Sequence, residues 1–237
     1  MLASDLISDV SFHLEDPTHV RWTLDEKLRW LNVAALQVVL VRPDAKSKTE
    51  SLQLAAGTYQ ALPSGALRFL GLLRNMGADG ATPGVAVTPA DRETADQVTP
   101  DWHFEEADTV VRHFMLDPDD PTHYWVTPPV HATTAVYATV RYSLSPTLIP
   151  LQTDAPAYDS ANDLVDLLDI YRGPLGEYLQ YLCLTGDREV AVSAIADSHK
   201  QAFYDALGIK SAKDLLHSPK SRERPYDPTP RPESFGV

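Results

Sequence analysis

Four histidines, His103, His113, His123 and His131, fall within one stretch of the chain, and cross-strand neighbours of this kind can in principle meet at a metal. Their spacings are neither short nor regular, and no cysteine accompanies them, so exposed or singly hydrogen-bonded histidines are the expectation. The single cysteine, Cys183, lies in Tyr181-Leu182-Cys183-Leu184. A nucleophilic thiolate needs an electropositive, accessible setting, so Cys183 reads as a core residue. Asp117-Pro118-Asp119-Asp120 superficially resembles a calcium loop, but the central Gly and closing Glu of an EF-hand are missing, and a turn with solvated carboxylates fits better.

Two acidic concentrations remain. Residues 101–120 hold Asp101, Glu105, Glu106, Asp108, Asp117, Asp119 and Asp120 against Arg112 alone, and residues 154–169 hold Asp154, Asp159, Asp163, Asp166 and Asp169 with no base. Paired carboxylates can hydrolyse glycosides only within a cleft of sugar contacts, for which the sequence offers no sign. Solvated surface is the simpler reading. Nucleotide, zinc-protease and serine-hydrolase motifs are all missing. No active site, metal or other cofactor is expected.

The elements that must position these residues are read from periodicity. Leu2, Leu6, Val10 and Leu14 mark one helical face, ended by Asp16-Pro17. Thr23-Leu24-Asp25-Glu26 is a capping box opening a second helix, with Leu24, Leu28, Leu31, Ala35 and Val38 on one stripe and Arg42-Pro43 as its stop. Between about 49 and 145 the pattern predicts six strands and one short helix. A first hairpin joins Leu52 and Leu54 to Tyr59–Leu62 across Ala56-Gly57, and Leu67–Met76 forms a longer strand. Thr88 caps the short helix, with Pro89 at its first position. Val110–Leu116 and Tyr124–Thr127 make a second hairpin, and Thr134–Ser143 a further strand.

Helical spacing returns after a Pro- and Asp-rich linker at 146–163. Leu175, Leu179 and Leu182 follow Gly173-Pro174, where proline fits only in a first turn. Thr185-Gly186-Asp187 breaks that helix. A last one runs from about Arg188 to Leu207, with Ala191, Ile195, Ala202 and Phe203 inward and Gly208 as its stop. The expected class is therefore α+β. Residues 1–48 and 146–208 are two halves of a helical bundle, 49–145 an inserted antiparallel β module, and 209–237 an extended C-terminal arm.

The chain carries 33 Asp+Glu against 20 Lys+Arg over 237 residues, a net charge of −13. The proline-rich arm contributes +2, leaving −15 on residues 1–208. So acidic a body is a poor binder of duplex DNA, whose affinity for proteins comes mainly from Lys and Arg. With 43% hydrophobic residues it can still bury a core. The N-terminus has acids where a signal peptide needs bases, and no apolar run is long enough to span a membrane, so no membrane association is expected. One cysteine suits a reducing compartment.

Val20-Arg21-Trp22-Thr23, with Glu26, Leu28, Trp30, Leu31 and Asn32 behind it and Arg42-Pro43-Asp44-Ala45 next, resembles the opening of the phage adaptor (head-to-tail connector) proteins. So do Leu73–Gly80, Val87–Arg92, Pro100-Asp101-Trp102 and Asp169-Ile170-Tyr171, in the same order over about residues 1–208. The resemblance implies a structural virion protein and not an enzyme. It implies a homo-oligomeric ring, commonly of twelve subunits, with the portal protein above, a tail or nozzle protein below, and DNA passing through without specific binding.

A tail-completion or stopper ring shares the same features, and a virion-carried carboxylate hydrolase is a more distant alternative. The arm at 209–237 would order on a partner, with Arg222, Arg224, Tyr226 and Phe235 as anchors, since arginine and aromatics dominate interface energetics. At ~3.1 Å per residue its extended reach is on the order of 90 Å. Asp154, Asp159, Asp163, Asp166, Asp117, Asp119 and Asp120 are the candidates to face a DNA channel. Twelve copies at −13 sum to −156, and acids facing the channel would repel phosphate.

Overall fold

The computed structural model describes residues 1–117, 119–150, 163–185 and 190–208, with the side chains of 190–192 outside that description. The chain is α+β. Helix α1 (Ala3–His13) ends earlier than expected: the turn out of it uses Glu15 at φ 55°, before Asp16 and Pro17 are reached. Helix α2 (Leu24–Val41) opens on the predicted capping box. Thr23 accepts from the Glu26 amide, and the Glu26 carboxylate accepts from the Thr23 amide at 2.9 Å. It stops before Pro43, which starts a 3-10 turn at Pro43–Lys46.

The strands are β1 (Ser47–Gln53), β2 (Gly57–Ala61), β3 (Ala66–Met76), β4 (Pro83–Ala86), β5 (Thr88–Pro89), β6 (His113–Leu116), β7 (His123–Val130) and β8 (Tyr137–Leu144). They form two four-stranded sheets, ordered β1-β8-β3-β4 and β2-β7-β6-β5. Alternate residues of β7 and β8 point into one apolar core drawn from both sheets, where Phe69 of β3 stacks on Tyr124 of β7 with centroids 4.1 Å apart. The sheets therefore pack face to face.

Three expectations for this region are corrected. Eight strands occur among the described residues, not six. The first predicted hairpin does not form: β1 pairs with β8 and β2 with β7, so the chain crosses from one sheet to the other between them. Buried Gln60 explains the crossing. Its side chain accepts from the Ala55 amide at 2.7 Å and donates to the Ala55 carbonyl at 2.8 Å, taking hydrogen bonds that a hairpin partner would have made. Thr88 and Pro89 are strand and not helix start. The Thr88 and Ala90 amides bond to carbonyls of Arg112 and Phe114, and proline is tolerated because β5 is an edge strand. The short helix α3 (Arg92–Val98) is capped instead by Asp91, whose carboxylate accepts from the Thr94 amide. The second predicted hairpin is present as the antiparallel pair β6–β7.

A 3-10 turn at Asp169–Tyr171 leads into α4 (Arg172–Thr185), with Pro174 inside the first turn, and α5 (Val190–Ala206) follows. Helices α1, α2, α4 and α5 share the second apolar core, to which Ile149, Val165 and Leu167 also contribute. Phe203 is fully buried there as expected, whereas Ile195, predicted inward, is 53% exposed. Gly208 follows α5 at φ +71°, the left-handed conformation that glycine adopts without strain.

Candidate functional site: buried polar joints and surface acids

The polar residues that converge in this fold do so at joints between its parts. The α1–α2 corner holds the most buried of them. Lys27 lies on the inward face of α2 with no exposed surface. Its ammonium is 2.9 Å from Asp16 Oδ2, 2.9 Å from Ser11 Oγ and 3.0 Å from His19 Nδ1. Lysine has no acceptor, so Nδ1 of His19 accepts and the imidazole is neutral. Asp16 also accepts from the amides of Val20, Arg21 and Trp22. Burial alone would raise the Asp16 pKa, but Lys27 and these three amides outweigh it and hold the carboxyl at about 2. Burial and the Lys27 charge together push His19 below its ordinary value. The corner is thus a satisfied ion pair that holds the entry to α2.

A second joint ties α2 to the C-terminal part of the chain. Asn32 donates to the Ile149 carbonyl and accepts from the Ile149 amide, both at 2.9 Å. Arg42 donates from Nη1 to the Leu207 carbonyl at 2.9 Å while pairing through Nε and Nη2 with Asp44. Lys46 pairs with Asp166, which also accepts from the Thr147 amide. Asp44, Lys46, Thr147 and Asp166 line a groove of about 650 Å³ together with Leu164 and Leu168. In the β region, buried Asn75 bridges strands: it donates to the carbonyls of Val85 and Val111 and accepts from the Val111 amide.

The histidines do not converge. His103 bonds Thr58 and stacks on Trp102, His113 bonds Thr88, His123 pairs with Asp120 and stacks on Tyr59, and His131 bonds Thr133. Among the described residues no three His, Cys, Asp or Glu side chains are grouped to hold a metal ion. Cys183 is fully buried, and burial pushes its thiol up to about 12, so it is not a thiolate nucleophile.

Asp117, Asp119 and Asp120 sit at the β6–β7 turn, whose Pro118 lies outside the described residues. Asp117 is 3.9 Å from Arg92 and accepts from the Asp119 amide, Asp120 is engaged by Thr122 and His123, and Asp119 is exposed. Asp163 is exposed, and its backbone carbonyl accepts from the Ala3 amide, while Asp166 is held by Lys46. Asp154, Asp159 and the anchors Arg222, Arg224, Tyr226 and Phe235 lie outside the described residues.

Sequence reasoning missed Asp16, Lys27, Gln60 and Asn75. Only Lys27 left a signal, being a charge three residues after Leu24 on the apolar stripe of α2.

Among the described residues of this α+β protein, the buried polar side chains Asp16, Lys27, Gln60 and Asn75 join its own segments, and its one thiol is buried in the core. The SU10 adaptor protein family model matches residues 1–225, and the chain belongs to that family. Phage adaptors are structural, non-enzymatic virion components that contact other virion proteins such as portal and tail. A comparison with curated proteins finds no match for this chain. Asn32, Arg42 and Asp44, within the stretches that carry the resemblance, are joint residues in the fold.

Proposed function

We propose that this chain is one subunit of an adaptor ring of twelve copies that joins the portal of the phage head to the tail or nozzle and forms part of the DNA channel. It sits in the neck of the virion and is assembled in the host cytoplasm. In this reading residues 1–48 and 146–208 are the two halves of the ring-building helical bundle, 49–145 the inserted module, and 209–237 the arm that grips a partner.

The match to the adaptor family over residues 1–225 carries the reading. Two properties of the molecule support it. Large apolar side chains stand exposed on several elements, among them Phe104 at 89%, Ile170 at 78% and Val98 at 76%, as protein contacts would require. A closed ring needs two unlike faces per subunit, and one chain with helices, two sheets and an arm offers them. The acids Asp163, Asp117, Asp119 and Asp120, together with Asp154 and Asp159, would face the channel and keep DNA sliding. Asp166, paired with Lys46, would serve chiefly as a joint.

Electron cryomicroscopy of the assembled particle tests the proposal. This chain is expected as a ring directly between portal and tail, and a position in any other layer overturns it. Deleting 212–237 is expected to leave a folded protein that fails to join the particle. Normal assembly of the truncated protein would end the role given to the arm.

A further inference from the structure

The sheet β1-β8-β3-β4 runs against the charge of the molecule. Its strands carry Lys48, Arg68, Arg74 and Arg141 against one acid, Glu50, in a chain of net charge −13. Ala138, Val140 and Tyr142 of β8 belong to the core, so Thr139 and Arg141 face outward. Arg74 of β3 lies opposite Thr139, while its neighbour Asn75 turns inward to bond Val111. Arg74 therefore shares the outer face as the diagonal neighbour of Arg141, roughly 7–8 Å away. Thr49 and Ser51 of β1, opposite Arg141 and Thr139, extend that face. Glu50 lies opposite core Val140 and pairs with Lys48, so it belongs to the other side. Arg74 and Arg141 are exposed, and neither has a carboxylate partner among the described residues.

A complementary surface lies across the sandwich. Trp125 alternates with core Tyr124 and Val126 and so stands on the outer face of the second sheet. Trp102 and His103 pack on it with ring centroids 6.0 and 5.1 Å away. Buried Trp102 donates from Nε1 to Asp96 at 2.8 Å, and His103 bonds Thr58 at 2.9 Å. The 3-10 turn Trp102–Phe104 is thus fixed at its base. It presents Phe104, 89% exposed, beside exposed Asp101, Glu105 and Glu106. No lysine or arginine among the described residues pairs with these three acids.

We propose that the Arg74–Arg141 face of one copy docks the Phe104–Glu106 segment of a second copy. The two guanidiniums pair with Glu105 and Glu106, and one of them lies over the Phe104 ring. Surfaces on opposite sides of one sandwich do not meet within a molecule; they meet between copies, head to tail. Such a contact is heterologous, and its repetition closes a ring or runs on as a filament. The contact deepens the ring reading, on which its closure rests, by naming two unlike faces of each subunit. It survives the repulsion between two bodies of charge −13, because charges beyond about 8 Å are screened at physiological ionic strength.

Cross-linking of the purified full chain tests the contact. Ser51→Cys and Ala107→Cys, at exposed positions beside the two surfaces, are combined in one chain and treated with a short bismaleimide at about 0.15 M salt. Cys183 is buried and does not react. The double variant is expected to give a ladder of dimers, trimers and higher species on a denaturing gel. An equimolar mixture of the two single variants should stop at dimers. In the double-cysteine chain, Arg74→Glu with Arg141→Glu should lower the yield at least about tenfold without changing the circular dichroism, and Glu105→Arg with Glu106→Arg should do the same. All four reversals together should restore it. Absence of a ladder overturns the proposal. Dimers from either single variant alone also overturn it, since they mark a symmetric contact, as does a fourfold reversal that cross-links no better than either pair. Particle images read the position in the virion separately: a ladder from a chain found outside the neck keeps the contact and ends the neck reading.

Discussion

Asp16 and Lys27 show how a buried charge pair becomes tolerable: each is enclosed, but the carboxylate has four donors and the ammonium four acceptors, the Asp16 carbonyl among them. Removing one member leaves the other charged and buried. Asp16→Ala is therefore expected to destabilise the fold by about 3–5 kcal/mol in urea titration. The same groups set a pH dependence. The folded-state pKa of Asp16 is depressed to about 2, so its contribution is present above the ordinary carboxylate value and is lost as pH falls toward 2, a change of about 2 kcal/mol. His19 is depressed as well, first by burial and then because a protonated Nδ1 would face the Lys27 ammonium, against which the Asp16 carboxylate acts in the opposite direction. Its contribution is present above the ordinary histidine value near 6.5 and is lost as pH falls through the lower folded value. Stability measured against pH should show both steps, and His19→Gln should remove the upper one alone. Cys183, with its thiol pushed up to about 12, should react with a thiol reagent only after unfolding.

At the scale of elements, helix starts and strand crossings answer to local hydrogen bonding. Thr23→Ala removes one side of the α2 capping box and should cost about 1 kcal/mol, with Thr23→Ser close to neutral. Asn75→Ala leaves the Val111 amide and the carbonyls of Val85 and Val111 short of partners, two of these contacts being buried, and should cost about 2 kcal/mol. Both are read from denaturant midpoints at constant slope. The capping box was legible because its two partners are three residues apart. The first hairpin was misread for the opposite reason. Leu52, Leu54, Tyr59 and Leu62 alternate as a hairpin would, but Gln60 satisfies the backbone at 55–57 and releases β1 and β2 to different sheets.

At the scale of the whole molecule, the net charge of −13 argues that the purified chain does not retain duplex DNA, even at low salt. A mobility-shift titration should show free DNA throughout. The sequence alone determined the α+β class, the positions of the two N-terminal helices, the longest strand, the second hairpin, the core setting of Cys183 and the adaptor resemblance. Each rests on residues a few positions apart, or on motifs read in order along the chain. Tertiary structure alone decided the two-sheet pairing, the exposed side of Ile195, the β5 edge strand and the polar joints. Asn32 meets Ile149, and Arg42 meets Leu207, across more than a hundred residues of chain. Nothing in local spacing encodes such a meeting, because it depends on where two separate apolar faces settle once the cores have closed.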